Sequence, residues 1–187
     1  MTTATPGIHP RAEIQSRVST GSWRVDPASS HASFTARVAG GPVRGRLPLA
    51  GRVRIAKPIE DSEAWLVART DALSTGSAVL DRLLKGPGFL DADVFPEISF
   101  SPELLVCVPT GWRAVGQLQV KGTEHPLACQ LDVALNDQGS GQRPDGPPCM
   151  TITSCWAIDS RWVTRQRIPA LSRRIVMTCS VALELDM

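Results

Sequence analysis

Tyrosine is absent, histidine occurs only three times, and no apolar run approaches the ~18 residues needed to cross a bilayer as a helix. The last absence excludes a helical membrane span. Five cysteines, an odd number without C-x-x-C spacing, fit neither a disulfide framework nor a zinc site and read as reduced thiols used as small apolar residues. A dominant charge is also missing, because 20 bases against 18 acids leave a net charge of +2, too small to argue for a nucleic-acid partner. The opening residues M-T-T-A-T-P-G-I-H-P-R lack the apolar core of a secretory signal, so the expected compartment is the cytoplasm. No G-x-S-x-G elbow, H-E-x-x-H pair, phosphate-cradling glycine loop or dinucleotide fingerprint occurs.

What is present points to a single all-β domain. The 187 residues are 42% hydrophobic and 20% charged, enough for one real core. Residues 1–21 are polar, carry Pro6, Gly7 and Pro10, and read as a flexible N-terminal extension ahead of a folded domain over 22–187. From Trp23 onward apolar and polar residues alternate, as on strands with one buried face. Ala32, Phe34, Ala36 and Val38 share one face of the first clear strand, and on the next Val43, Leu47, Leu49, Val53 and Ile55 oppose Arg44, Arg46, Arg52 and Arg54. Pro48 and Gly51 mark a bend there. The pattern returns around residues 112–120, 127–135, 150–158 and 175–185, for roughly eight strands.

One stretch breaks the period. Val79, Leu80, Leu83 and Leu84 recur at helical spacing, with Ser77 as N-cap and Gly86 as stop, which predicts a short helix over Ala78–Lys85. Residues 136–148, rich in Gly, Pro and polar groups, predict a long hairpin loop. Antiparallel strands without parallel crossovers leave a sandwich and a closed barrel both open, and a barrel of this size holds either side chains alone or one small ligand.

Charge is unevenly spread. Residues 37–54 hold five arginines and no acid, residues 161–174 five more, and residues 59–103 nine acids against three bases. Four of the first five arginines share an outward strand face, the usual state of a solvated sheet, and no aromatics accompany them as nucleic-acid binding would need. The second cluster is a candidate contact for an anionic partner or head group. His31 and His125 lie at strand starts, far apart in sequence and without a carboxylate or thiol at ligand spacing, so no metal is assigned. Asp91, Asp93 and Glu97 read as an acidic turn rather than a cation site or acid–base pair.

Four segments in fixed order carry a family resemblance: W-R-V-D-P-A-S-S-H-A-S-F, T-D-A-L-S-T-G, L-D-R-L-L-K-G-P-G-F-L-D-A-D-V-F-P-E-I-S-F-S and V-G-Q-L-Q-V-K-G-T-E-H-P-L. Together they resemble the YceI-like family, from Trp23 to about Leu185. The resemblance implies an extended eight-stranded antiparallel lipocalin-like β-barrel with one short helix, whose tunnel binds polyisoprenoids or isoprenoid quinones, in a family not known for catalysis. The chain departs from the family pattern in places. Ser29 and Ser30 precede His31 where Asp-Pro-x-His-Ser is usual, and Leu80 and Leu83 stand where the helix usually carries arginine and histidine. Ser160 is inserted between Asp159 and Arg161 in the late I-D-R pattern.

The resemblance makes non-catalytic carriage, storage or sensing of a long-chain isoprenoid or similar amphiphilic lipid the leading expectation, with no cofactor and no nucleic acid. Wall candidates are Phe34, Val38, Leu47, Leu49, Val53, Trp65, Phe100, Trp112, Leu118, Trp156 and Ile175, with Leu83, Leu84, Phe89 and Phe95 over one mouth. The apolar helix face should be buried at that mouth and touch the ligand tail, with the polar end at another opening near Arg165, Arg167, Arg173 and Arg174. Transient membrane contact and a homodimer are compatible with this reading. The competing readings are a small-molecule enzyme on a barrel scaffold and a protein-interaction domain using the basic face.

Overall fold

The computed structural model describes residues 18–108, 111–135, 149–164, 166, 168 and 171–186. Most of the predicted extension, the predicted loop at 136–148, and Arg165 and Arg167 of the basic cluster therefore lie outside the described residues. The elements are β1 (Gly21–Val25), β2 (His31–Val38), β3 (Gly41–Ile55), β4 (Glu63–Arg69), the helix α1 (Ala78–Lys85), β5 (Glu97–Val108), β6 (Gly111–Val120), β7 (Thr123–Leu135), β8 (Cys149–Asp159) and β9 (Arg174–Leu185).

Every strand pairs antiparallel with its neighbours, in the order β1-β3-β2-β9-β8-β7-β6-β5-β4, and the β3–β4 pairing closes the sheet. β1 and β2 occupy successive halves of one lane between β3 and β9. β2 pairs with the first part of β3 (His31 opposite Pro48, Val38 opposite Gly41), and β1 with its end (Gly21 opposite Ile55, Arg24 opposite Arg52). The result is a closed antiparallel barrel of eight lanes with a single short helix, so the choice between sandwich and barrel is settled in favour of the barrel. Closure leaves no open sheet edge and encloses the inward face of every strand.

The alternation read on β2 and β3 matches the burial. Ala32, Ala36, Leu47, Leu49, Val53 and Ile55 are buried, while Arg44, Arg46, Arg52 and Arg54 are exposed. The bend at Pro48 and Gly51 is where β3 changes partner from β2 to β1. Gly51 has a φ of +151°, and a Cβ there would lie 2.1 Å from the Trp65 carbonyl oxygen, so only glycine fits against β4.

Two side chains fold differently from the sequence expectation. Trp65 points outward and is 53% exposed, because the register with β3 (Val53 opposite Ala64, Gly51 opposite Leu66, Leu49 opposite Ala68) turns Ala64, Leu66 and Ala68 to the interior. Val18, inside the predicted extension, is buried, and the Trp23 indole Nε1 donates to the Ser19 carbonyl at 3.1 Å, so the folded part begins ahead of β1.

Candidate functional site

Two adjoining apolar cavities run through the barrel. The first, about 140 Å³, lies in the lumen between Leu49, Val53, Leu66, Phe100, Leu118 and Trp156. The second, about 290 Å³, lies beneath α1 between Phe34, Val38, Leu80, Leu83, Leu84, Phe89 and Ile175, and no polar side chain lines it. Leu47, Ile98, Ile158 and Met177 line both, so the two form one elongated apolar space. Gly45 makes room for it: a Cβ there would lie 2.4 Å from the Phe34 ring, which lies over the glycine and faces the second cavity.

The lumen wall carries few polar groups. Cys129 and Cys179 are free thiols, and burial pushes them up to about 11 and about 12 respectively, so both stay protonated and serve as apolar wall. The Trp156 Nε1 is buried without a hydrogen-bond partner, Ser154 lies two residues away on the same wall, and Glu63 reaches the lumen's edge while paired with Arg54 at 2.9 Å. Among the described residues no group of three or more His, Cys, Asp or Glu is placed to hold a metal ion.

The helix end is held by a few specific bonds. The Thr75 backbone N–H and hydroxyl both donate to the Asp81 carboxylate at 2.6 Å, which holds that carboxyl below its ordinary range and anchors the first turn. Ser77 is the N-cap by position, but its hydroxyl makes no capping bond. Gly86 ends the helix as expected. Beyond it, buried Thr164 donates to the Gly88 carbonyl at 2.7 Å, Lys121 donates to that of Phe89, and buried Thr70 donates to that of Phe95 at 2.7 Å. No residue of α1 is buried, and Val79 and Leu83 are 78% and 54% exposed. The expected burial of the whole apolar face is thus corrected: Leu80, Leu83 and Leu84 cover the cavity, while the helix lies so lightly on the barrel that Val79 faces solvent.

Of the remaining wall and mouth candidates, two lie elsewhere. Trp112 faces inward and is buried, but at the far end of the barrel with Val18 and Ile55, outside both cavities. Phe95 packs by the turn at Gly122 and lines a separate polar pocket with Lys121, His125 and Trp162. In that pocket His125 stacks on Trp162 at 4.1 Å, a partner that its place at a strand start did not foretell. For Arg173 and Arg174 the expected second opening does not hold: Ile175, next to Arg174, lines the same cavity as Leu83, which puts these two arginines at the helix mouth. Arg173 donates to Asp159 at 3.0 Å, as does Arg161, and these bonds with the Arg161 backbone N–H hold the Asp159 carboxyl far below the usual range. The inserted Ser160 is buried and lets its own backbone N–H bond the Arg173 carbonyl at 2.8 Å.

The profile of the YceI-like domain matches residues 23–159. The chain belongs to the YceI-like family. No curated protein matches it. Among solved structures it is similar to BcnA of Burkholderia cenocepacia, at 15% identity and a TM-score of 0.70, over 84% of this chain and 98% of that one. It is similar to a polyisoprenoid binding domain from Saccharophagus degradans implicated in plant cell wall breakdown, at 14% identity and a TM-score of 0.62, over 88% of this chain and 98% of that one. A Campylobacter jejuni YceI protein matches at 16% identity and a TM-score of 0.63, over 78% of this chain and 86% of that one. At these identities the likeness carries the fold. Leu80 and Leu83 both line the mouth cavity, which no polar side chain lines.

Proposed function

We propose that this protein binds a long-chain isoprenoid or similar amphiphilic lipid in its barrel without turning it over, as a carrier, store or sensor. The observation that carries the reading is the pair of adjoining apolar cavities, the larger of them without a polar lining side chain and covered by a helix with no buried residue. A packed core needs no such space, since each unfilled void forfeits contact energy. An apolar tail would fill it, and a five-carbon unit contributes up to roughly 4 kcal/mol of burial before the costs of association. Membership of the family and the likeness to a polyisoprenoid binding domain support the choice of an isoprenoid over other lipids. The protonated thiols of Cys129 and Cys179 in the wall favour binding over chemistry, and buried reduced thiols fit a cytoplasmic location. Solvent extraction of the purified protein followed by mass spectrometry tests the proposal: a stoichiometric isoprenoid supports it, and turnover of that lipid by the protein would contradict it.

A further inference from the structure

The cavity lies beneath an apolar surface that nothing among the described residues covers. Val79 and Leu83 are one turn apart on α1, 78% and 54% exposed, and Leu83 also lines the mouth cavity, so exposed apolar surface runs into the apolar interior without a break. Val94, in the segment that follows the helix, is 63% exposed. The same end carries cations. Arg82 is exposed on α1, Arg37 and Arg44 flank the mouth residues Val38 and Val43, and Arg173 and Arg174 precede Ile175. The acids of this end oppose them weakly. Asp81 is bound to Thr75, Asp159 to two arginines and Asp71 to Arg69, which also lies opposite the exposed Glu97; Asp93 is exposed beside Val94, and Asp91 is half-buried in the turn. Apolar side chains ringed by arginines match the boundary of an anionic bilayer, where acyl chains receive the first and phosphates the second.

We infer that α1 and the segment after it dock on an anionic phospholipid membrane, and that lipid passes between bilayer and cavity beneath Leu83. The inference rests on the lipid-binding reading and adds its partner. α1 suits such a passage, since it is held at its ends by Thr75 and Thr164 and has no residue locked into the core. A free helix face this small is a modest anchor, so binding should be reversible and weakened by salt.

The test uses the full chain, vesicles of phosphatidylcholine with about 30% phosphatidylglycerol, and the double variant Val79→Asp/Val94→Asp, which spares every cavity residue. Flotation should carry the parent protein with these vesicles, far less with phosphatidylcholine alone, and the variant about tenfold less. Dansyl-farnesol supplied in solution should bind parent and variant within about twofold, which shows that the variant is folded and its cavity intact. Flotation of the variant equal to the parent's, or failure of the parent to float, would overturn docking by this face. So would a concentration-dependent dimer abolished by Val79→Asp, which would give the face to a second copy. Failure of dansyl-farnesol to bind the parent would strike the cavity reading itself, and the portal with it.

Discussion

The two ends of the barrel are built from the same strands and differ in how they are filled. At one end Trp23 and Leu183 are 1% and 0% exposed, with Val25 and Met150 equally enclosed, and the pocket of about 270 Å³ beside Trp112 is edged by Lys57 and Glu60 rather than by apolar side chains alone. At the other, a two-turn helix without a buried residue lies over about 290 Å³ of empty apolar space. Large side chains on β1, β6 and β9 make the first end the source of stability. Small or shallow contacts at the second make it the place where something else completes the core. A fold that places its rigidity at one end can leave the other loose without unfolding, as local stability differs from global stability.

The largest expected effect separates the ends by stability. Trp23→Ala should lower unfolding free energy by about 3–5 kcal/mol and Leu83→Ala by under about 1 kcal/mol, read from urea denaturation midpoints at equal slopes. Similar losses at both sites would erase the contrast. Next, Ala36→Trp places an indole in the mouth cavity. It should weaken binding of a long prenyl alcohol by about tenfold or more in a fluorescence displacement assay, with far-ultraviolet circular dichroism unchanged. Unaltered affinity would show that the cavity is not the tail's path.

A smaller effect concerns the clasp of Asp159 at the loose end. Its carboxyl lies below the usual range when folded, so its stabilisation is full above the unfolded value near 4 and is lost as pH falls through the folded one. Because both arginines are well exposed, Asp159→Asn should lose only about 0.5–1 kcal/mol at pH 7, and the difference from the parent should shrink below about pH 4 in thermal melts. A difference that grew on acidification would reverse the assigned cause. The smallest effect belongs to the outer stripe. Replacing Arg44, Arg46, Arg52 and Arg54 together by Gln should alter solubility while lipid affinity in free solution stays within about twofold.

The strand faces were legible where apolar and polar residues truly alternate, as on β2 and β3, and illegible where they do not. β4 reads E-A-W-L-V-A-R, an unbroken apolar core in which size favours Trp65 as the inward residue, and only its pairing with β3 turns Leu66 inward instead. Helical spacing located α1 to the residue, yet periodicity states only which residues share a face and not how tightly that face is covered. The same limit separated Arg173 and Arg174 from the helix mouth, because barrel closure is a long-range property absent from any local window. The site was thus largely visible as a set of inward residues, whereas the empty space between them depends on packing that no spacing encodes.

The most direct test of the central claim is a chain-length series. Calorimetric titration with prenyl alcohols of increasing length should show affinity rising with each added isoprene unit and then levelling once the two cavities are full, with Ala36→Trp moving the plateau to shorter chains. Affinity independent of chain length, or a plateau that Ala36→Trp leaves in place, would contradict a lumen that holds the tail.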